Sequence, residues 1–172
     1  MNYLAEVKQA MKVLAADPRT LFVGQAVAYD GQAMHATLAD VPMDKRLEMP
    51  VVEDFQMGFC TGLALTGRVP VCIFPRFDFL ILATNQLVNH LDKLPLMSGF
   101  RPKVIIRTSV GSTSPLNPGP QHCQDHTEAF RHMLKTVEVC EIRSAEQVRP
   151  VYDYALARPD SVLVIEHGRM YL

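Results

Sequence analysis

Residues 50–79, PVVEDFQMGFCTGLALTGRVPVCIFPRFDF, decide the fold class. They read as strand, helix, strand and the opening of a second helix. Valines at 51–52 form the first strand, 54–66 the helix, and the Val/Ile-rich run 69–74 the second strand. Glu53 stands where strand gives way to helix. Gly58 and Gly62 follow one turn apart on that helix, and Gly67 ends it. The second strand runs out into Phe74, Phe77 and Phe79. A carboxylate at a strand's carboxyl end, beside a helix with a smooth glycine face, suits a site at a domain or subunit boundary.

Upstream, residues 2–16 space Leu4, Val7, Met11, Val13 and Leu14 at roughly helical intervals, and Asp17-Pro18 closes that helix. A strand is expected at 21–23. The stretch 29–48 shows little periodicity and reads as a long functional loop. Downstream, Leu80, Ile81, Leu82, Ala83, Leu87, Val88 and Leu91 cover nearly every face of a helix over 79–93. Such a helix must be buried in a core or against a partner. A strand at 103–108, a Gly/Pro/Ser-rich loop, a helix at 126–134, a strand at 136–140, a helix at 145–157 and a strand at 161–166 complete the chain. Short apolar strands alternating with helices predict an α/β domain of three layers. Its sheet is mostly parallel, with helices on both faces, and residues 1–172 make a single domain.

With 48 % apolar and 20 % charged residues, the chain belongs with globular proteins. A net charge of −1 with interspersed signs offers no surface for nucleic acid or anionic membrane. No apolar run reaches membrane-spanning length, and no signal pattern opens the chain. Cys60, Cys72, Cys123 and Cys140 form no C-x-x-C pair, which suits reduced thiols in a cytoplasmic compartment and no metal site.

Taken alone, Glu53 reads first as a carboxylate at a helix amino terminus, a role open to Asp54 as well. Its apolar neighbours favour more: a desolvated carboxyl titrates upward and can exchange a proton with a bound heterocycle. Gly58 and Gly62 each weaken the helix by roughly 1 kcal/mol against alanine. They therefore imply close approach, either of the sheet within the domain or of another subunit. Phe77 and Phe79 are core residues by default. His122 lies on a Pro/Gly loop, where core burial is unusual and loops at strand ends carry chemistry. Asp125 and His126 nearby fit no metal spacing.

Assembled, these residues resemble the pyrimidine-binding domain of thiamine-diphosphate enzymes. The likeness is strongest to the beta subunit of the 2-oxo acid dehydrogenase decarboxylating component, with transketolase more distant. Six ordered blocks carry it: VGQAVAYDG (23–31), DKRLEMPVVED (44–54), FPRFDFLILATNQLVNHLDKLPLMSG (74–99), KVIIRTSVG (103–111), GPQHCQ (119–124) and VLVIEHGRMY (162–171). The resemblance implies that Glu53 hydrogen-bonds the aminopyrimidine ring nitrogen and promotes the tautomer that deprotonates the thiazolium carbon. Phe79 would stack on the pyrimidine, Val51 would contact it through its backbone, and His122 would sit over the reacting centre. Gln25 stands where the family carries an acid in its cofactor hydrogen-bond network.

The resemblance also implies a half-site. The G-D-G…N pattern for magnesium and diphosphate is absent from this sequence, as is the family's second C-terminal domain. A diphosphate-binding, alpha-type partner would hold magnesium. Self-association is expected through the Gly58/Gly62 helix or the 79–93 helix. Alternative readings are a split transketolase-like subunit and a catalytically silent structural or regulatory homologue.

Overall fold

A computed structural model describes residues 2–30, 33–115 and 117–171. Residues 31 and 32 of the stretch 29–48, and Leu116 of the Gly/Pro/Ser loop, lie outside them. Six strands form one sheet: β1 (Thr20–Gly24), β2 (Arg46–Glu48), β3 (Val69–Phe74), β4 (Ile105–Val110), β5 (Glu138–Glu141) and β6 (Val162–His167). Their order is β2-β1-β3-β4-β6-β5, and every pairing is parallel. Among the described residues seven α-helices accompany them: α1 (Tyr3–Ala16), α2 (Ala33–Ala36), α3 (Glu53–Leu65), α4 (Phe77–Leu80), α5 (Leu94–Ser98), α6 (Thr127–Met133) and α7 (Ala145–Ala157). No helix among the described residues is long and apolar enough to cross a membrane.

Two cores lie on opposite faces of the sheet, because successive strand side chains point opposite ways. Phe22, Val71, Ile105 and Val162 stand in register and face α1 and α7. Val23, Cys72, Ile106 and Leu163, each one residue on, face α3 and α6. Both faces are covered, so the strands carry almost no polar alternation. Strands β1 and β3 approach closely at Gly24, where a Cβ would lie 2.4 Å from the Ile73 carbonyl oxygen.

Two expectations need correction. Residues 51–52 form no strand. Val51 and Val52 are exposed, and the strand before α3 is β2, inside the stretch read as a loop. Valine's strand preference needs a ladder to join. β1 ends at Gly24, which aligns with Glu48, so nothing remains for 51–52 to pair with. The helix at 79–93 is also not continuous. The chain runs through α4, a 3-10 turn (Ile81–Ala83) and a π-helical segment (Gln86–Leu91) before α5. Leu80, Ala83, Leu87 and Leu91 are buried, whereas Ile81 is exposed and Leu82 is 63 % exposed. The apolar residues on the outer side are thus not core, and they leave an apolar surface beside α3.

Candidate active site

Segments leaving the carboxyl ends of four adjacent strands each carry one candidate: Glu53 after β2, Gln25 after β1, Phe79 after β3 and His122 after β4. β1 hands the chain to the α1–α7 side, where Val27, Met34 and Leu38 join the core. β3 hands it to the α3 side, where Phe77 and Leu80 do so. Neighbouring strands whose exits diverge leave a crevice between them, the usual ligand position in open α/β sheets.

Glu53 is the first residue of α3 and is 5 % exposed. Gln25 Nε2 donates to Glu53 Oε1 at 3.2 Å, joining the segment after β1 to the first turn of α3. Phe79 and His122 form a second pair, with the rings edge to face and 5.6 Å between centroids. Nδ1 of His122 is buried without a hydrogen-bond partner among the described residues. Val51 is 75 % exposed in the bend before α3.

The Gln25 segment is held by a residue the sequence did not single out. Glu48, the last residue of β2, accepts from the backbone N–H groups of Ala26, Val27 (2.9 Å) and Ala28 (2.8 Å). Ala26 has φ 51°, so three successive N–H groups turn toward one carboxylate. Glu48→Ala would leave them without that acceptor. We expect a loss of about 2 kcal/mol, the scale of charge-assisted bonds, read as a lower urea midpoint. A change within 0.5 kcal/mol would mean that water replaces the carboxylate at no cost.

Gly58 and Gly62 do not face the sheet. A Cβ on Gly58 would meet the Gln86 side chain at 3.4 Å, and one on Gly62 would meet nothing within 4 Å. They line an open groove of about 260 Å³ between α3 and the π-helical segment, together with Thr61, Leu65 and Met97. Packing against the sheet therefore does not explain the glycines.

The family of the transketolase pyrimidine-binding domain matches residues 2–171. The chain belongs to that family. Among curated relatives, the pyruvate dehydrogenase E1 component subunit beta of Chaetomium thermophilum is 31 % identical over 163 residues, spanning 92 % of this chain and 42 % of the relative. The 3-methyl-2-oxobutanoate dehydrogenase subunit beta of Mycobacterium tuberculosis is 29 % identical over 161 residues, spanning 92 % and 46 %. The chain thus spans less than half the length of both. A solved structure described as a split gene transketolase, inactive beta4 tetramer, aligns with TM-score 0.74 at 17 % identity. It covers 95 % of this chain and 50 % of the other, and the likeness shows a shared fold.

For this pyrimidine-binding domain, sequence reading named one member of each contacting pair on its own chemistry and missed the residues that hold them. Glu48, Arg76, Asp78 and Gln124 carry no spacing signal, because each acts on a segment distant in sequence. Glu48 lies among other charged residues in DKRLEMP (44–50), which gave it no mark of its own.

Proposed function

We propose that this chain is the half-site subunit of a thiamine-diphosphate-dependent enzyme acting on a 2-oxo acid. It would hold the aminopyrimidine end of the cofactor, and an alpha-type partner chain would supply the diphosphate and magnesium site. The observation that carries this reading is Glu53, nearly buried at the crevice between diverging strands with the Gln25 amide against it.

The residues present fit the pyrimidine half. Glu53 holds a proton against the pyrimidine ring nitrogen, and Gln25 fixes the carboxyl's orientation. The Phe79 ring is half-buried and offers a stacking surface. Val51 would supply a backbone group, and His122 Nδ1, buried with no partner among the described residues, is a polar atom able to take a hydrogen bond. When bound, thiamine diphosphate supplies the carbon nucleophile and the electron sink for loss of carbon dioxide. The chain's own part is orientation, exclusion of water and proton handling at Glu53 and His122. The names of the curated relatives favour a 2-oxo acid over a sugar as substrate. All four cysteines are free thiols, which suits a reducing, cytoplasmic setting.

Self-association is assigned to the groove of Gly58 and Gly62, flanked by exposed Leu65, Leu96 and Met97. Gly62→Leu adds a side chain into open space and improves helix propensity, so the isolated chain should be at least as stable as wild type. Its association, measured by sedimentation across a concentration series, should weaken at least tenfold. Unchanged association would place the interface elsewhere.

The test of the function is copurification with a diphosphate-domain partner, followed by titration of thiamine diphosphate and magnesium. Binding and 2-oxo acid decarboxylation are expected in the complex and neither in the chain alone. Decarboxylation by the chain unaided would overturn the half-site reading.

A further inference from the structure

His122 sits on a 3-10 turn (Pro120–His122) in a segment otherwise without regular structure, so no helix or strand sets its direction. Ordering such a segment costs entropy that contacts must offset. Those contacts come from four consecutive residues after β3. Arg76 Nη1 donates to the His122 carbonyl at 3.3 Å. The Phe77 ring meets the His126 imidazole edge-on, with centroids 5.5 Å apart. Asp78 Oδ1 accepts from the Gln124 backbone N–H at 3.3 Å and from its Nε2 at 2.9 Å. The Phe79 ring contacts the His122 imidazole. Even residues hold polar groups and odd residues hold rings.

The far side of the loop is pinned as well. A Cβ on Gly111 would lie 1.8 Å from the His122 carbonyl oxygen, so the loop backbone rests directly on the end of β4. Ser109 Oγ, on the same strand, donates to the Pro75 carbonyl at 2.9 Å. Asp78 itself is 9 % exposed, and its Oδ2 is buried with no hydrogen-bond partner among the described residues. A buried carboxyl with one oxygen unpaired is costly. Hydrophobic packing alone would favour an apolar side chain there. What Asp78 does that an apolar residue cannot is grip Gln124 by both backbone and side chain, two residues beyond His122.

The geometry points to Asp78 as the positioning residue that sets the His122 imidazole against Phe79. The assignment rests on the reading of Phe79 and His122 as the stacking and reacting-centre residues. It goes beyond that reading by coupling them: the residue beside the stacking ring also orients the histidine. Asp78 acts through Gln124 and touches no reacting atom.

The test reads the His122 ring directly. In the wild-type chain, without cofactor, its imidazole proton resonances are assigned by their loss in His122→Asn. The ring-current contribution of Phe79 is then read as the shift lost in Phe79→Leu. Asp78→Ala is expected to abolish that contribution, moving the His122 signals to their Phe79→Leu positions. Asp78→Asn keeps an acceptor oxygen for Gln124 and is expected to retain it. Gln124→Leu removes one donor from an exposed side chain and should show a partial loss, which decides the matter if Asp78→Ala does not fold. Wild-type shifts in Asp78→Ala would overturn the assignment. So would equal loss in Asp78→Ala and Asp78→Asn, or no change in Gln124→Leu. Because these readouts need no cofactor, failure of thiamine diphosphate to bind the partnered complex would sink the proposed function and leave the positioning result standing.

Discussion

In the proposed complex with a diphosphate-binding chain, Glu53→Gln is expected to slow exchange of the thiazolium proton by at least ~100-fold, the lower end of what a positioned acid–base group contributes. Thiamine diphosphate should still bind within several-fold of wild type. The substitution keeps the shape of the side chain, and its carboxamide oxygen can still accept from Gln25, so the 3.2 Å contact at the head of α3 need not be lost. What the glutamine cannot do is hold and release a proton at the pyrimidine ring nitrogen. Exchange followed by NMR in deuterated buffer reads this step without depending on substrate identity. A rate within threefold of wild type would remove Glu53 from the proton path. Loss of cofactor binding altogether would mean that Glu53 serves binding first.

The largest effect on stability is expected at Arg107. Its guanidinium and the Glu166 carboxylate are wholly buried, on β4 and β6, and meet in two bonds, Nε to Oε1 at 2.6 Å and Nη2 to Oε2 at 3.0 Å. Nη1 donates to Thr37 Oγ1 at 2.8 Å. The hydroxyls of Tyr152 and Tyr171 donate to the two Glu166 oxygens, which ties α7 and the turn Gly168–Tyr171 to the pair. Burial opposes the charge on Arg107, but Glu166 and the two tyrosines outweigh it and hold the guanidinium pKa above its ordinary range. Burial, with the Glu166 charge beside them, pushes both phenols well up, so they remain donors.

Arg107→Met would leave Glu166 buried without its cation, at a cost of roughly 3–5 kcal/mol. That is a large share of the 5–15 kcal/mol typical of a domain. Urea denaturation should show the loss. The double variant Arg107→Met, Glu166→Leu should recover most of it, because the burial cost of both charges disappears together. A single variant costing under 1 kcal/mol would mean that water reaches the pair.

The alternation of short apolar strands with helices was enough to determine the class of fold. Strands buried on both faces cannot alternate, and β3 (VPVCIF) and the first four residues of β6 (VLVI) are continuous apolar runs for that reason. β4 (IIRTSV) opens apolar and continues into buried polar residues. β2 was not legible. Three residues, RLE, paired to one edge of β1 carry no pattern of their own, whereas Val51 and Val52 imitate a strand without a neighbour to join. Glu53, Phe79, His122 and Gln25 were singled out one by one, each from its local setting or its block of family resemblance. That Gln25 reaches Glu53 and that Phe79 meets His122 was not. Those contacts depend on the order β2-β1-β3-β4, which brings four separate loops to one end of the sheet.

Arg107 and Glu166 show the same division. In KVIIRT and VLVIEH each looks like a stray charge at the end of an apolar strand, 59 residues apart. Sequence by itself determined most of the strands and helices, though not β2 or the broken course of 79–93, and the identity of the chemical groups, because these follow from local periodicity and side-chain type. Only the tertiary structure decided which groups are partners. Pairing across a parallel sheet depends on strand order and register, and both are settled by long-range packing that no local window contains.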